Sequence, residues 1–201
     1  MTSQENFLEK LIKKLNEQNI PYMLSGSVSS SLHGQPRATN DADIVIAPVE
    51  EQLIDFVKSL GDDYYVSHDA AREALKDNST FNVINIQNSW KADFIMRKNR
   101  PFSRGEFRRR RKANIMGLDV WVVSPEDVIL SKLEWAKNSE SGQQYRDALG
   151  VATVQYDRLD RDYLSKWAKE LQVESFLEQL LGFLQKPFKR AFHLQLFGPL
   201  G

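Results

Sequence analysis

The sequence predicts an α+β fold in which a mixed β-sheet with packed helices is followed by a C-terminal helical region. Within residues 1–123, apolar runs typical of strands are mixed with amphipathic helical patterns, and the two kinds do not alternate strictly. This irregular order favours a mixed sheet over an all-parallel one. From residue 124 onward the patterns are helical and no strand-like run returns.

The elements of the first region follow from apolar spacing and from helix breakers. Apolar residues at helical spacing predict a first helix that ends before Pro21, and Gly61 stops a later helix. Short apolar runs predict the strands. The predicted helices cover residues 5–18, 27–33, 50–60 and 68–77. The predicted strands cover residues 22–24, 44–46, 81–87, 90–97 and 120–123, the last of them in a hairpin across residues 116–118.

The change to a purely helical pattern begins with a helix-start signal. Ser124 is a natural N-cap, Pro125 suits the first helical position, and Asp127 can close a capping box. We therefore expect two domains, a sheet domain of residues 1–123 and a helical domain of residues 124–201. Helices are predicted over residues 125–138, 141–155, 160–171 and 173–185, and no element is assigned to residues 186–201.

Composition excludes several classes of protein. The chain has 201 residues, no cysteine and a formal net charge of zero. The lack of cysteine excludes disulfides and thiolate metal sites. No run approaches the roughly 18 apolar residues that a membrane span needs, and the first residues lack the basic and apolar regions of a signal peptide. We therefore expect a cytoplasmic protein with no membrane partner.

One segment concentrates positive charge. Residues 97–112 contain nine basic residues and a single acid, Glu106. Such a block forms either a solvated loop or helix, or an electrostatic surface for a triphosphate or an RNA acceptor. Phe102 and Phe107 within it would either stack on bases or bury the segment. The sequence leaves both alternatives open.

The main functional signal lies in residues 22–46. Gly26 and Ser27 follow a strand-like run, where a glycine lets the backbone approach a ligand and the free N–H groups of a helix start attract phosphate. Asp41 and Asp43 introduce the next strand, and they point to the same face because strand side chains alternate. Two carboxylates near a phosphate cradle suit a hard divalent cation such as Mg²⁺ with a nucleoside triphosphate. The pattern indicates phosphoryl or nucleotidyl transfer.

The order of these features resembles the DNA polymerase β-type nucleotidyltransferase superfamily: an apolar strand, Gly-Ser, a short spacer, Asp-x-Asp and a second apolar strand. The segment Arg37-x-Thr39-x-Asp41-x-Asp43 is similar to the minimal and abortive-infection (AbiEii-like) types, which include toxins of toxin–antitoxin pairs. The resemblance implies a nucleotidyltransferase-type fold and a third carboxylate on a later strand. Asp93, between apolar residues, fits that position.

The resemblance also implies ligands for a metal and a nucleotide. Three carboxylates would bind Mg²⁺ or Mn²⁺ and carry the catalysis, and a second group of residues would hold the nucleoside triphosphate. The metal ligands would be Asp41, Asp43 and Asp93, and the triphosphate-binding residues would be Gly26, Ser27 and Arg37.

Two residues of the helical region complete the implied catalytic set. Lys132 and Asp147 resemble a lysine and an acid that abortive-infection-type relatives carry on the first and second helices of that region. Lys132 would neutralise charge that builds in the transition state. Asp147 would orient Lys132 or help to deprotonate the acceptor hydroxyl. The alternative is a surface salt bridge between neighbouring helices.

The implied reaction transfers a nucleoside monophosphate from the triphosphate to a hydroxyl of an acceptor. The acceptor would be RNA such as a tRNA end, a protein or a small molecule, and a toxin role would add an antitoxin partner. The alternative is a non-catalytic RNA- or protein-binding partner subunit that retains the fold and uses the basic segment. Retention of the three carboxylates and of the Gly-Ser turn favours the enzyme.

Overall fold

The computed structural model describes residues 3–35, 41–115, 117–139 and 142–185, with side chains from residue 6 onward. The chain divides into two compact units. The first, the sheet unit, comprises Met1–Val28 and Ala38–Val123, and the second, the helical unit, comprises Ser29–Arg37 and Ser124–Gly201. No helix in the described part of the chain is long and apolar enough to cross a membrane.

The described residues of the sheet unit form a seven-stranded mixed sheet, which confirms the predicted fold class. The strand order is β3-β4-β5-β2-β1-β7-β6. β2 pairs with β5 in parallel and with β1 in antiparallel fashion, and β1 runs parallel to β7. The strands are β1 Tyr22–Leu24, β2 Asp41–Ile46, β3 Tyr64–Val66, β4 Thr80–Asn85, β5 Lys91–Met96, β6 Arg111–Ile115 and β7 Leu118–Val122.

Side-chain alternation gives the two central strands one apolar face and one polar face. In β2 and β5 every second residue is buried, beginning with Ala42 and Ala92. Phe94 on the buried face contacts the rings of Phe81 and Phe56, each with a centroid distance of 5.1 Å. This packing fixes which face of β2 and β5 is turned to the core, and it leaves the acidic residues on the opposite face.

Helices of the sheet unit pack on this sheet or join its strands. α1 is an amphipathic helix whose Leu11, Ile12 and Leu15 are buried. At α4 the hydroxyl of Ser67 accepts a hydrogen bond from Ala70 N at 3.1 Å and so caps the start of the helix. The helices are α1 Ser3–Glu17, α2 Gly26–His33, which continues into the helical unit, α3 Glu50–Ser59, α4 His68–Asp77 and α5 Pro101–Arg108.

The second segment of the helical unit starts at Ser124, the residue predicted as an N-cap. Ser124 Oγ donates to Asp127 Oδ2 at 2.6 Å and accepts from Asp127 N at 3.3 Å. Tyr163 donates its hydroxyl proton to the other oxygen of Asp127 at 2.6 Å, so α8 is tied to the start of α6. The helices are α6 Pro125–Ser139, α7 Gly142–Gln155, a 3-10 turn Tyr156–Arg158, α8 Arg161–Glu170 and α9 Glu174–Leu184.

Candidate metal and nucleotide site

The register of β2 and β5 brings the acidic residues to one face of the sheet. β2 begins at Asp41, so both of its aspartates lie within the strand. In the parallel pairing, Asp43 is the partner of Asp93 and Asp41 is the partner of Lys91. Partners in adjacent parallel strands point to the same face. The three carboxylates therefore share the face opposite the buried residues.

The turn after β1 lies against one of these carboxylates. α2 begins at Gly26, which has a φ of +56°. A Cβ atom added to Gly26 would lie 1.8 Å from Asp43 Oδ2. Ser25 N donates to the carbonyl oxygen of Asp43 at 2.9 Å, which holds the turn on β2. The start of α2 and the carboxylate of Asp43 are thus direct neighbours.

Lys91 is a member of this cluster that the sequence interpretation missed. Its Nζ donates to Asp93 Oδ2 at 3.2 Å and lies 3.6 Å from Asp41 Oδ2. Partial burial acts to lower the pKa of Lys91, but the hydrogen bond and charge of Asp93, together with Asp41, outweigh it and raise that pKa. The available signal was its position two residues before Asp93, which places both side chains on the same face.

The donor set suits a hard divalent cation. Asp93 Oδ1 is buried and, within the described residues, has no hydrogen-bond partner. A buried carboxylate oxygen without a partner is unfavourable, and a cation ligand would satisfy it. In the side-chain positions seen here, no three His, Cys, Asp or Glu side chains of the described residues are grouped closely enough to hold a metal. The carboxylates are therefore of the type that binds a divalent cation, but in this structure the ammonium group of Lys91 lies between those of Asp41 and Asp93.

Lys132 and Asp147 form a pair within the helical unit. Lys132 Nζ, on α6, donates to Asp147 Oδ2, on α7, at 3.0 Å, and the two side chains are 10% and 9% exposed. The second oxygen of Asp147 accepts from Gln143 Nε2 at 2.7 Å. The pair is therefore largely buried and fully hydrogen-bonded at the carboxylate, unlike an exposed surface salt bridge. The predicted triphosphate contact Arg37 lies outside the described residues, as does Thr39.

The basic segment folds as a helix followed by a strand. Phe102 and Phe107 are buried in the sheet unit, which supports the packing interpretation over base stacking. The guanidinium group of Arg110 lies 4.5 Å from the ring centroid of Phe107 and 5.0 Å from that of Trp121. These contacts fix Arg110 between two aromatic rings. Basic side chains that stay exposed are those of Lys98, Arg104, Arg108, Arg111 and Lys112.

Solved structures of two other proteins have a similar fold. An antigenic nucleotidyltransferase-like protein from Paracoccidioides brasiliensis has a TM-score of 0.63 at 18% identity, over 98% of this chain and 94% of that chain. The antibiotic-resistance factor ANT(2'')-Ia in solution has a TM-score of 0.56 at 15% identity, over 96% of this chain and 98% of its own. ANT(2'')-Ia in complex with adenylyl-2''-tobramycin has a TM-score of 0.50 at 16% identity, over 98% and 100% of the two chains.

The likeness covers nearly the whole length of each chain. It shows that this chain has the fold of nucleotidyltransferase-like proteins. No protein-family model matches the sequence, and no curated protein matches it.

Proposed function

We propose that the chain is a metal-dependent nucleotidyltransferase of the polymerase β-type superfamily. It would transfer a nucleoside monophosphate from a nucleoside triphosphate to a hydroxyl group. The observation that carries this proposal is the register of β2 and β5, which sets Asp43 beside Asp93 and puts Asp41 on the same face. The contact between Asp43 and Gly26 adds the phosphate-binding turn to the same cluster.

Asp41, Asp43 and Asp93 are the proposed ligands of Mg²⁺ or Mn²⁺. The buried, unpartnered Oδ1 of Asp93 in the described structure supports this assignment. When bound, the cation would neutralise triphosphate charge and lower the pKa of the attacking hydroxyl. The carboxylates repel one another, and a positive charge among them reduces that repulsion.

Gly26 and Ser27 are the proposed phosphate ligands. The left-handed conformation of Gly26 begins α2, whose first N–H groups are not used inside the helix. Such a helix start attracts phosphate oxygens. Arg37 stays a prediction as a third triphosphate ligand.

The reaction forms a bond between the acceptor oxygen and the α-phosphorus and breaks the bond to the bridging oxygen of the β-phosphate. Pyrophosphate leaves, and the hydroxyl proton passes to a base. Of the two roles predicted for Asp147, orientation of Lys132 is better supported, because both carboxylate oxygens already accept hydrogen bonds. Lys132 would then contribute charge in the transition state.

The acceptor is proposed only by class. The exposed basic residues of the segment 97–112 support RNA as one class. A small-molecule hydroxyl is the other supported class, because one structure of similar fold is a complex with adenylyl-2''-tobramycin. A protein acceptor, a toxin role and an antitoxin partner stay predictions from the resemblance.

Transfer of label tests the proposal. The chain is incubated with each α-labelled nucleoside triphosphate, Mg²⁺ or Mn²⁺, and separate pools of RNA, aminoglycosides and cell lysate. We expect labelled acceptor from the intact chain and a loss of more than about 100-fold in Asp43→Asn, because metal charge stabilisation supplies several kcal/mol. The matched control is Asp55→Asn, which removes an exposed carboxylate on α3 and should leave transfer unchanged.

Two results would contradict the proposed nucleotidyltransferase activity or its assigned residues. Label transfer that survives in Asp43→Asn would exclude the assigned carboxylates. No transfer and no triphosphate binding by the intact chain would favour the alternative of a non-catalytic RNA- or protein-binding subunit.

A further inference from the structure

Backbone geometry places the ammonium group of Lys91 beside the carboxylates of Asp41 and Asp93. Lys91 precedes Asp93 by two positions in β5, and its register partner in β2 is Asp41. Alternation along β5 and pairing with β2 each place its side chain on the acidic face. Nζ lies 3.2 Å from Asp93 Oδ2 and 3.6 Å from Asp41 Oδ2. The pairing of β2 with β5 therefore determines which carboxylates Lys91 can contact.

The ammonium group also orients the carboxylate of Asp93. Oδ2 accepts the hydrogen bond from Lys91, whereas Oδ1 is buried without a partner in the described part of the chain. The side chains of Lys91 and Asp93 are 32% and 23% exposed, so solvent screens this pair less than it would a fully exposed one. Lys91 thus makes a hydrogen bond and an ion pair with one carboxylate oxygen of a proposed metal ligand, Asp93.

We propose that Lys91 is a positioning residue that competes with the divalent cation for the carboxylates of Asp41 and Asp93. Its ammonium group holds the two carboxylates together, and it leaves at least one of them when the cation binds. The proposal rests on the proposed function, because it takes these carboxylates as the ligands. A monovalent and a divalent cation on the same oxygens would repel each other at a distance where Coulomb energies are large.

Mn²⁺ binding to the full chain, measured as free Mn²⁺ by electron paramagnetic resonance, tests the competition without any turnover. We expect Lys91→Met to bind Mn²⁺ about two- to tenfold more tightly than the wild type, since two ion pairs no longer oppose binding. Lys91→Arg keeps the charge and should bind like the wild type. The matched control is Lys98→Met, which removes an exposed lysine just after the same strand and the same unit of net charge. Equal or weaker binding by Lys91→Met would overturn the proposal.

A second measurement uses the wild type alone and so does not depend on folding of the variant. Lysine side chains are labelled with an amine-reactive reagent, in EDTA and in saturating Mn²⁺, and the rate at each lysine is read by mass spectrometry. We expect Mn²⁺ to raise the labelling rate of Lys91 relative to Lys98. An unchanged ratio means that the ammonium group does not move, which contradicts the competition.

Asp43→Asn separates failure of this proposal from failure of the proposed function. If the wild type and Lys91→Met both fail to bind Mn²⁺, the proposed metal site is wrong. The proposed role of Lys91 is then wrong as well, because it depends on that site. If the wild type binds Mn²⁺, Asp43→Asn does not, and Lys91→Met shows no gain, the metal site stands and only the role of Lys91 is wrong.

Discussion

The carboxylate of Asp43 fills the space that a side chain on Gly26 would need. A Cβ atom there would lie 1.8 Å from Asp43 Oδ2 and 2.5 Å from its Cγ. Gly26 also has a φ of +56°, in the left-handed region that favours glycine. Two independent requirements, one of backbone conformation and one of space, therefore select glycine at the point where the first helical turn meets the acidic strand.

Gly26→Ala should damage both stability and the site. The methyl group must displace Asp43 or distort the turn, and the left-handed backbone adds strain, so we expect the free energy of unfolding to fall by about 2–4 kcal/mol. Nucleotidyl transfer should fall with it, because the displaced carboxylate of Asp43 would leave its place on the face that it shares with Asp93. Urea denaturation and the label-transfer assay measure the two effects.

Gly182→Ala is the matched control. Gly182 lies within α9, and a Cβ there would meet nothing within 4 Å among the described residues. Alanine should raise the unfolding free energy by about 0.5–1 kcal/mol, because it loses less conformational entropy in a helix. A Gly26→Ala protein as stable and active as the wild type would contradict the packing of Asp43 against this turn.

Lys132 and Asp147 should be strongly coupled in stability. Their side chains are only 10% and 9% exposed, so Lys132→Met leaves a buried carboxylate without its cation. We expect that variant to lose about 3 kcal/mol of unfolding free energy. The double variant Lys132→Met/Asp147→Leu should regain much of the loss, because neither charge is then left alone.

Activity of the double variant decides between a structural and a catalytic pair. A stable but inactive double variant supports the predicted role of Lys132 in charge stabilisation. Full nucleotidyl transfer by that variant would reduce the pair to a buried ion pair between α6 and α7.

Most of the sheet could be predicted because its strands alternate. Ala42 and Ile44 flank Asp43 in β2 in the same way that Ala92 and Phe94 flank Asp93 in β5. The sequence therefore predicts which residues share a face within each strand. It does not predict the register, because pairing Asp43 with Asp93 depends on which strands become neighbours. The pairing of Lys91 with Asp41 depends on that register, whereas alternation within β5 alone would have placed Lys91 on the face of Asp93.

β3 and α5 were not predicted as such. β3 spans only Tyr64–Val66, and three residues are too few to show a period. α5 has Pro101 at its start, which is a valid helix signal. Only a few residues of α5 are buried, and they lie among arginines. The apolar spacing was therefore too weak to predict a helix, and the segment could only be described as basic.

Tyr163→Phe should loosen the helical unit. The hydroxyl donates to Asp127 Oδ1 at 2.6 Å, and Asp127 is fully buried. Loss of a hydrogen bond to a buried carboxylate should lower the unfolding free energy by about 1.5–3 kcal/mol. Tyr65→Phe, which changes an exposed hydroxyl, should have no measurable effect. Equal urea midpoints for the two variants would show that the Tyr163 contact contributes nothing.

Tyr64 should make the sheet unit sensitive to alkaline pH. Burial, with the negative charge of Asp63 adding to it, raises the pKa of Tyr64 above its ordinary value. Below about pH 10, the ordinary pKa of tyrosine, the side chain is neutral in the folded and unfolded states alike. Above that pH the unfolded chain releases the proton first, so stability is lost as the pH rises toward the folded-state pKa.

Tyr64→Phe should therefore gain stability relative to the wild type only at alkaline pH. The difference in unfolding free energy between variant and wild type should be constant below about pH 10 and then rise by at most about 1.4 kcal/mol per pH unit. Urea denaturation at a series of pH values measures that difference, with the exposed Tyr65→Phe as control. If this difference stays constant through the alkaline range, Tyr64 ionises as readily in the folded sheet unit as in the unfolded chain. Burial would then not raise the pKa of Tyr64.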